Sequence, residues 1–309
     1  MDLYLAPLQE FTEYSYRNAI QKHIGGFEKY FIPYISFQRD LKLKNRQKRD
    51  IAIENNPHQN IVPQILAANR EEVEYLLPFL DQYNEVNINF GCPYPMATKK
   101  RRGAGIYHDI NMAKEIIEST ISIFKGKVSV KLRSGLETHE TWKEMIDILN
   151  QYQLEEIIIH PRTASQLYKG TVELSYMKEL IEKSKHPVIY NGDITTIEEF
   201  DRINEMVGIK GVMLGRGALQ DIFLASKIKG KEILMPKKIL ESIHQDVFEC
   251  ISKQTDIEKQ VVQKMERFWS YFSYHFVDSR KVYKKFKKSK NMLNYNEAIS
   301  HAFSKMIIG

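Results

Sequence analysis

The sequence predicts an α/β protein, a (β/α)8 TIM barrel followed by a small C-terminal all-α domain. Three observations predict it. Short strand patterns alternate with helical patterns eight times between Leu3 and Leu214, as in a closed parallel barrel. Polar, charged and glycine residues gather where those strands end, the rim on which such barrels build sites. After Pro236 no strand pattern remains, and apolar residues recur at helical spacing.

Leu3-Tyr4-Leu5 reads as the first strand and runs into Ala6-Pro7-Leu8, where small residues let backbone approach a flat ligand. Tyr16 to Ile24 forms a helical pattern closed by Gly25-Gly26. Tyr30 to Ile35 is the second strand. The basic run after it (Arg39, Lys42, Lys44, Arg46, Lys48, Arg49) is either a solvated loop face or a grip on phosphates. Ile61 to Leu66 is the third strand, with Gln64 near its end. Asn69 and Glu72 have capping-box spacing for a helix to about Gln82.

The fourth strand carries the chemistry. Val86, Ile88 and Phe90 alternate with Asn87 and Asn89, then run into Gly91-Cys92-Pro93. Glycine permits an unusual turn and proline fixes the exit direction. A thiol therefore sits on a tight loop just past a strand end. A lone cysteine is most often a small buried hydrophobe; its place on the rim makes Cys92 the candidate catalytic residue. The cluster Lys99-Lys100-Arg101-Arg102 follows, ended by Gly103-Ala104-Gly105.

Asn111 to Phe124 is helical by its apolar spacing. Val128 to Arg133 is the fifth strand, with Lys131 and Arg133 as unusual cations for a sheet interior. A helix from Thr138 to about Tyr152 precedes the sixth strand, Glu156 to His160, which ends in His160-Pro161-Arg162-Thr163. After a helix over 174–183, the seventh strand, Pro187 to Tyr190, ends in Asn191-Gly192-Asp193. Thr195 and Glu198 suggest a second capping box, with a helix to about Met206. Gly211 to Leu214 is the eighth strand, ending in Gly215-Arg216-Gly217-Ala218. Glycine-rich loops after strands seven and eight are where such barrels bind phosphate, so both turns are expected to hold one.

Domain boundaries follow: a barrel over residues 1–236 and a helical domain over 237–309. The net charge of +6 lies wholly in the second part. Of 45 Lys and Arg and 39 Asp and Glu, 14 and 8 fall from Lys237 onward, leaving 31 of each before it. Such asymmetry suggests a polyanion-binding tail, with simple solubility as the alternative. Lys281, Lys284, Lys285, Lys287, Lys288 and Lys290 surround Tyr283 and Phe286, so phosphate contact and stacking are both open. Phe268, Phe272 and Phe276 read as helix–helix core. No apolar run is long enough to span a membrane, and the N-terminus lacks a signal peptide's basic and apolar regions. Two cysteines, Cys92 and Cys250, argue against a disulfide framework and suit a reducing cytoplasm.

Ala6-Pro7-Leu8, Gln64, Asn89-Phe90-Gly91-Cys92-Pro93, Lys131-Leu132-Arg133-Ser134-Gly135, His160-Pro161-Arg162-Thr163, Asn191-Gly192-Asp193-Ile194 and Gly215-Arg216-Gly217-Ala218 occur in order, each at a strand end. In these stretches, and over nearly its whole length, the chain resembles the tRNA-dihydrouridine synthases. The resemblance implies an FMN-dependent barrel, NADPH as reductant, and a helical domain that helps hold tRNA. It implies hydride delivery to C6 of a uracil and protonation at C5 by Cys92. Ala6, Pro7, Leu8 and Gln64 would contact the flavin ring, and Lys131 its N1–C2=O end. His160 would lie near flavin or phosphate, with Asn191, Gly192, Asp193, Gly215 and Arg216 at the phosphate. Asn89, Arg133 and Arg162 are the candidates for the uracil side, and Lys99, Arg101, Lys284 and Lys287 for the tRNA backbone. Leu8, Pro161 and Tyr94-Pro95-Met96 depart from the family pattern and put the target position in doubt more than the reaction. A monomer suits one bulky RNA substrate; neither a metal site nor membrane contact is expected. The rivals are an FMN barrel reducing a small molecule, such as a dihydroorotate-type dehydrogenase or an ene-reductase, and a non-catalytic RNA-binding protein that has kept a flavin site.

Overall fold

The computed structural model describes residues 1–37, 42–57, 60–305 and 307. Eight strands, β1 (Asp2–Leu5), β2 (Lys29–Ser36), β3 (Ile61–Leu66), β4 (Glu85–Phe90), β5 (Lys127–Gly135), β6 (Ile157–Thr163), β7 (Val188–Asn191) and β8 (Gly211–Leu214), close into a barrel in sequence order. Every neighbouring pair is parallel, including β8 with β1. The predicted (β/α)8 barrel is therefore the fold. Register between β4 and β5 is unbroken and sets Asn87 opposite Ser129 and Asn89 opposite Lys131. β6 runs past Pro161 to Thr163, so His160 lies within the strand rather than at its end.

The first helices are α1 (Tyr14–His23), α2 (Asn45–Ile51), α3 (Arg70–Leu76), α4 (Pro95–Thr98) and α5 (Asn111–Ile123). They are followed by α6 (Trp142–Leu149), α7 (Met177–Lys183) and α8 (Ile197–Val207). The basic run after β2 is helical from Asn45 instead of being a loop; its first residue, Arg39, lies outside the described residues. The helix expected to reach Gln82 ends at Leu76 and continues as a 3-10 turn, Leu77–Leu80, because Pro78 has no N–H for an α-helical bond.

The first capping box is half made. Asn69 accepts from Glu72 N at 3.0 Å, but the Glu72 carboxylate accepts from Ala68 N at 2.8 Å and grips Arg102. The second lies one residue later than expected: Thr196 accepts from Glu199 N, and Glu199 accepts from the Thr195 and Thr196 amides.

Beyond β8 the described chain is helical: α9 (Arg216–Gln220), α10 (Leu224–Ile228), α11 (Pro236–Ser252), α12 (Glu258–Phe272), α13 (Ser279–Lys288) and α14 (Met292–Phe303). Two compact units result. One comprises Met1–Pro7, Glu28–Asp193 and Asp201–Leu214 and contains all eight strands; the other comprises Leu8–Phe27, Ile194–Phe200 and Gly215–Gly309. Helix α1 thus groups with the helices after β8. Lys22 Nζ and His23 Nε2 both reach Asp246 Oδ2 at 2.8 Å, and Gln254 donates to the Tyr14 hydroxyl at 3.0 Å.

The second unit is built on aromatics. Phe272 and Phe276 are buried, as their spacing predicts. Trp269 is fully buried and stacks on Phe286 at 3.8 Å between ring centroids. Phe286 is therefore core and is not available to stack on a base, which closes one of the two options the sequence left open for it. The α13 lysines at 281, 284, 285, 287 and 288 stay exposed on the opposite face.

Trp269 Nε1 donates to the Tyr295 hydroxyl at 3.2 Å, and Tyr295 meets His244 Nε2 at 2.8 Å. With its oxygen already accepting, Tyr295 is best satisfied by donating to a neutral imidazole. Burial pushes His244 down from 6.5 to about 4.

A folded-state pKa below the unfolded one means that the unfolded chain binds more protons between those values. Stability from His244 is thus full above about pH 6.5 and falls on acidification toward about pH 4, by on the order of 3 kcal/mol in total. Urea unfolding near pH 7.5 and pH 5 should show this loss. His244→Gln, whose carboxamide accepts from Tyr295 without titrating, should flatten the pH dependence; an unchanged slope would refute the assignment.

Candidate active site

The Cys92 loop leaves β4 under tight local control. Asn89 Oδ1 accepts from Gly91 N at 2.9 Å and from Cys92 N at 2.8 Å, an Asx turn that closes the strand end. Gly91 makes its turn without a positive φ; Gly103 has one, at +56°. A Cβ on Gly103 would lie 2.7 Å from both Cys92 Cβ and the Cys92 carbonyl oxygen. Ala104 N donates to that carbonyl at 3.0 Å. The glycine pattern after the basic cluster is thus the platform for the cysteine.

The Cys92 thiol is buried and meets the Tyr34 hydroxyl at 4.0 Å. Burial raises its pKa, and the opposing pull of the Tyr94 amide, Tyr34, Arg133 and Lys131 does not cancel that. The sulfur is therefore held as a thiol at neutral pH. Tyr34 also borders a cavity of about 710 Å³, which Lys44, Leu66, Met96 and Lys100 help to line.

Cations from β5 stand beside the thiol. Lys131 lies opposite Asn89 in register, and among the described residues no carboxylate pairs with it. Burial, then repulsion from Arg133, pushes its ammonium down to about 7. Arg133 is a brace: its Nε donates to the Gly91 carbonyl at 3.0 Å and its Nη1 to the Thr163 carbonyl at 2.8 Å. The Tyr168 ring lies 5.4 Å from its guanidinium carbon. Burial lowers the Arg133 pKa from its ordinary value. Arg133 thus ties the β4 loop to the end of β6.

A second cluster joins β6 and β7. Arg162 is buried, makes a bidentate ion pair with Asp193 and meets His160 Nε2 at 3.2 Å. Gly192 has φ +155°, and a Cβ there would lie 3.0 Å from Val172 and 3.2 Å from the His160 ring. Asn191 Nδ2 donates to the Met213 carbonyl at 2.8 Å, fixing the β7–β8 rim.

The remaining expected positions fall outside these clusters. Ala6 is buried just beyond β1, its N–H on the Leu214 carbonyl at 2.9 Å, and Pro7 is half-buried after it. Gln64 is buried in the β3–β4 amide cluster. Leu8, Gly215 and Arg216 belong to the second unit, where Arg216 opens α9. Lys99 and Arg101 are exposed, but Arg102 is buried against Glu72, with contacts of 2.8 and 2.5 Å. Lys284 and Lys287 lie on the exposed face of α13. Tyr34, Tyr168 and Gly103 were not expected. Tyr34 reads as one more aromatic in an apolar strand, and only its place after Pro33 at a strand end hinted at the rim.

Fold and site together define a TIM-barrel protein with a buried thiol at the C-terminal rim of the strands, beside a lysine that meets no carboxylate among the described residues. The chain belongs to the dihydrouridine synthase family, whose model, described as "Dihydrouridine synthase (Dus)", matches residues 4–307. It is similar to a probable tRNA-dihydrouridine synthase of Rickettsia conorii, 31% identical over 46% of this chain and 44% of that protein. A probable tRNA-dihydrouridine synthase of Helicobacter pylori is 24% identical over 78% and 74%. The chain thus spans less than half the length of the first of these relatives. Among solved structures, morphinone reductase aligns with TM-score 0.53 at 11% identity, covering 76% of this chain and 87% of that one. That likeness is one of fold.

Gly103→Ala should displace the Cys92 loop, since it combines a positive φ with a backbone clash. Its expected cost is roughly 1–3 kcal/mol in urea unfolding. Unchanged stability together with unchanged Cys92 reactivity toward a thiol reagent would show that the platform is not needed.

Proposed function

We propose that this chain reduces the C5=C6 bond of a uridine in tRNA to 5,6-dihydrouridine, with FMN as cofactor and NADPH as reductant. The observation that carries this reading is the buried Cys92 thiol, held protonated on the Asn89 turn beside Lys131. Bound FMN supplies the hydride for uracil C6, with NADPH as the source of the electrons. Family membership and the residues of the rim support a flavin there. An ammonium without a carboxylate partner suits an electron-rich ring edge or an anion, and a bound anion would draw the Lys131 pKa back up. The Gly192 turn lets backbone approach a phosphate where a side chain would clash. Asp193 is then a holder of Arg162 rather than a phosphate ligand, since like charges repel.

Cys92 supplies the proton for C5. A general acid must be protonated at the working pH, and burial secures that for this thiol. Arg133 holds the loop against the end of β6, and Tyr34 and Tyr168 flank the space in which a uracil would lie. The base must leave its stack to reach the rim. Exposed Lys42, Lys44 and Lys48, then Lys99 and Arg101, then Lys284 and Lys287 are suited to tRNA phosphates. Within this reading the protein acts on tRNA as a monomer in the cytoplasm.

The test combines purified protein, FMN, NADPH and tRNA, with dihydrouridine mapped at single-nucleotide resolution. The parent should convert a defined uridine. Cys92→Ala should reduce FMN at the parental rate while dihydrouridine formation falls by about 10²–10⁴-fold, the range for removing a general acid. Normal dihydrouridine formation in that variant would sink the role of Cys92, and conversion of free uracil but not tRNA would favour a small-molecule reductase. Lys284→Ala combined with Lys287→Ala should lower the slope of log affinity for tRNA against log salt by about one per lysine. A slope equal to the parent's would remove α13 from the RNA surface.

A further inference from the structure

The Cys92 loop is tied to the floor of the barrel by an unbroken chain of buried and part-buried hydrogen bonds. Gly91 and Cys92 N–H donate to Asn89 Oδ1. Asn89 Nδ2 donates to Gln64 Oε1 at 2.6 Å, and Gln64 Nε2 to Asn87 Oδ1 at 2.7 Å. Asn87 Nδ2 donates to Ser129 Oγ at 2.9 Å, and the Ser129 hydroxyl to Glu85 Oε1 at 2.8 Å. Lys29 Nζ then bridges Glu85 Oε2 at 2.7 Å and Glu156 Oε1 at 3.0 Å.

The direction of this chain is forced from both ends. Backbone N–H groups can only donate, and an ionised carboxylate can only accept. The amides and hydroxyl between them must therefore all point the same way, and no link can reverse alone. Aligned hydrogen bonds in a low-dielectric interior strengthen one another. Glu85 is the first residue of β4 and Asn89 the fifth, so the chain climbs roughly 13 Å from floor toward rim. Burial disfavours charge on Lys29, but Glu85 and Glu156 outweigh it and raise its pKa. The lysine thereby sets a positive charge 2.7 Å from Glu85, the final acceptor of the chain.

We propose that Glu85, acting through Ser129, Asn87 and Gln64, is a positioning residue that orients the Asn89 carboxamide and so holds the Cys92 loop. Glu85 stands at the floor end of β4, four residues before Asn89. Its effect on the reaction rests on the reading of Cys92 as proton donor; its effect on the loop does not.

The test uses the full chain carrying Cys250→Ser, so that Cys92 is its one thiol, and follows alkylation by iodoacetamide at fixed pH. Ser129→Ala strips Asn87 Nδ2 of its acceptor and cuts the chain. Alkylation should accelerate about tenfold, the scale of one lost buried hydrogen bond, and Ser129→Thr should return it to the parental rate. Tyr4→Phe removes a 2.6 Å contact to Glu156 on the far side of the same ion cluster and should leave alkylation at the parental rate. Glu85→Gln, which keeps shape but frees the chain to reverse, should accelerate alkylation less than Ser129→Ala and serves if that variant does not fold. Parental rates in Ser129→Ala, or in Glu85→Gln where it must stand in, would overturn the proposal, as would equal acceleration by Tyr4→Phe. Turnover separates the two readings. If Cys92 is the donor, kcat for dihydrouridine formation should fall in the accelerated variants with the KM for tRNA unchanged. Accelerated alkylation with parental kcat would keep the positioning chain and reject Cys92 as donor.

Discussion

A closed parallel barrel has an inside, and along β4 and β5 this one has filled it with polar groups. Strand periodicity puts Glu85, Asn87 and Asn89 on one face, as it does Ser129, Lys131 and Arg133. TIM-barrel interiors are more often packed with branched apolar side chains. An unpaired polar group in such a place costs about 1–3 kcal/mol, so each pairing among these groups favours the closed barrel. From Glu85 up to Asn89 they are paired, through amides that span β3, β4 and β5 and an ion cluster linking β2, β4 and the start of β6. The contact between Tyr4 on β1 and Glu156 at the foot of β6 crosses the interior, because those strands are not neighbours.

The rim inherits its order from that interior. Asn89 belongs to the polar column below it and to the turn above it, so the same side chain satisfies the barrel and caps the loop. Arg133 continues the β5 column and bonds to carbonyls on both sides. Arg162 continues the polar face of β6 and ends on Asp193. Two arginines that look like ligand-binding cations in the sequence are largely committed to holding loops. Lys131 is the exception: among the described residues no carboxylate pairs with it, which sets it apart chemically.

The second unit follows a different rule. Its core is aromatic, with Trp269 against Phe272, Phe276 and Phe286, and its lysines lie on the outer face of α13. The split between buried Val282 and Phe286 and exposed lysines follows from helical spacing alone. That spacing also explains why Phe286 was ambiguous. An aromatic among lysines can serve either a core or a stacking surface, and only the presence of Trp269 opposite it decides which.

By itself the sequence determined the strands, their order, the barrel and the rim on which Cys92 sits. Each of these is written in local periodicity and in residues at strand ends, with β8 found at Gly211–Leu214 as read. The boundaries it misplaced were those set by single residues, such as Pro78 shortening α3, or by a neighbouring strand, as where β6 runs on through Pro161. The tertiary structure alone decided what each rim residue touches. Gly103 supports Cys92 from eleven positions along the chain, Tyr34 reaches it from β2, and Arg102 leaves the basic cluster to pair with Glu72. None of these contacts has a sequence signature, because each depends on closing the barrel and bringing distant strand ends within a few ångströms.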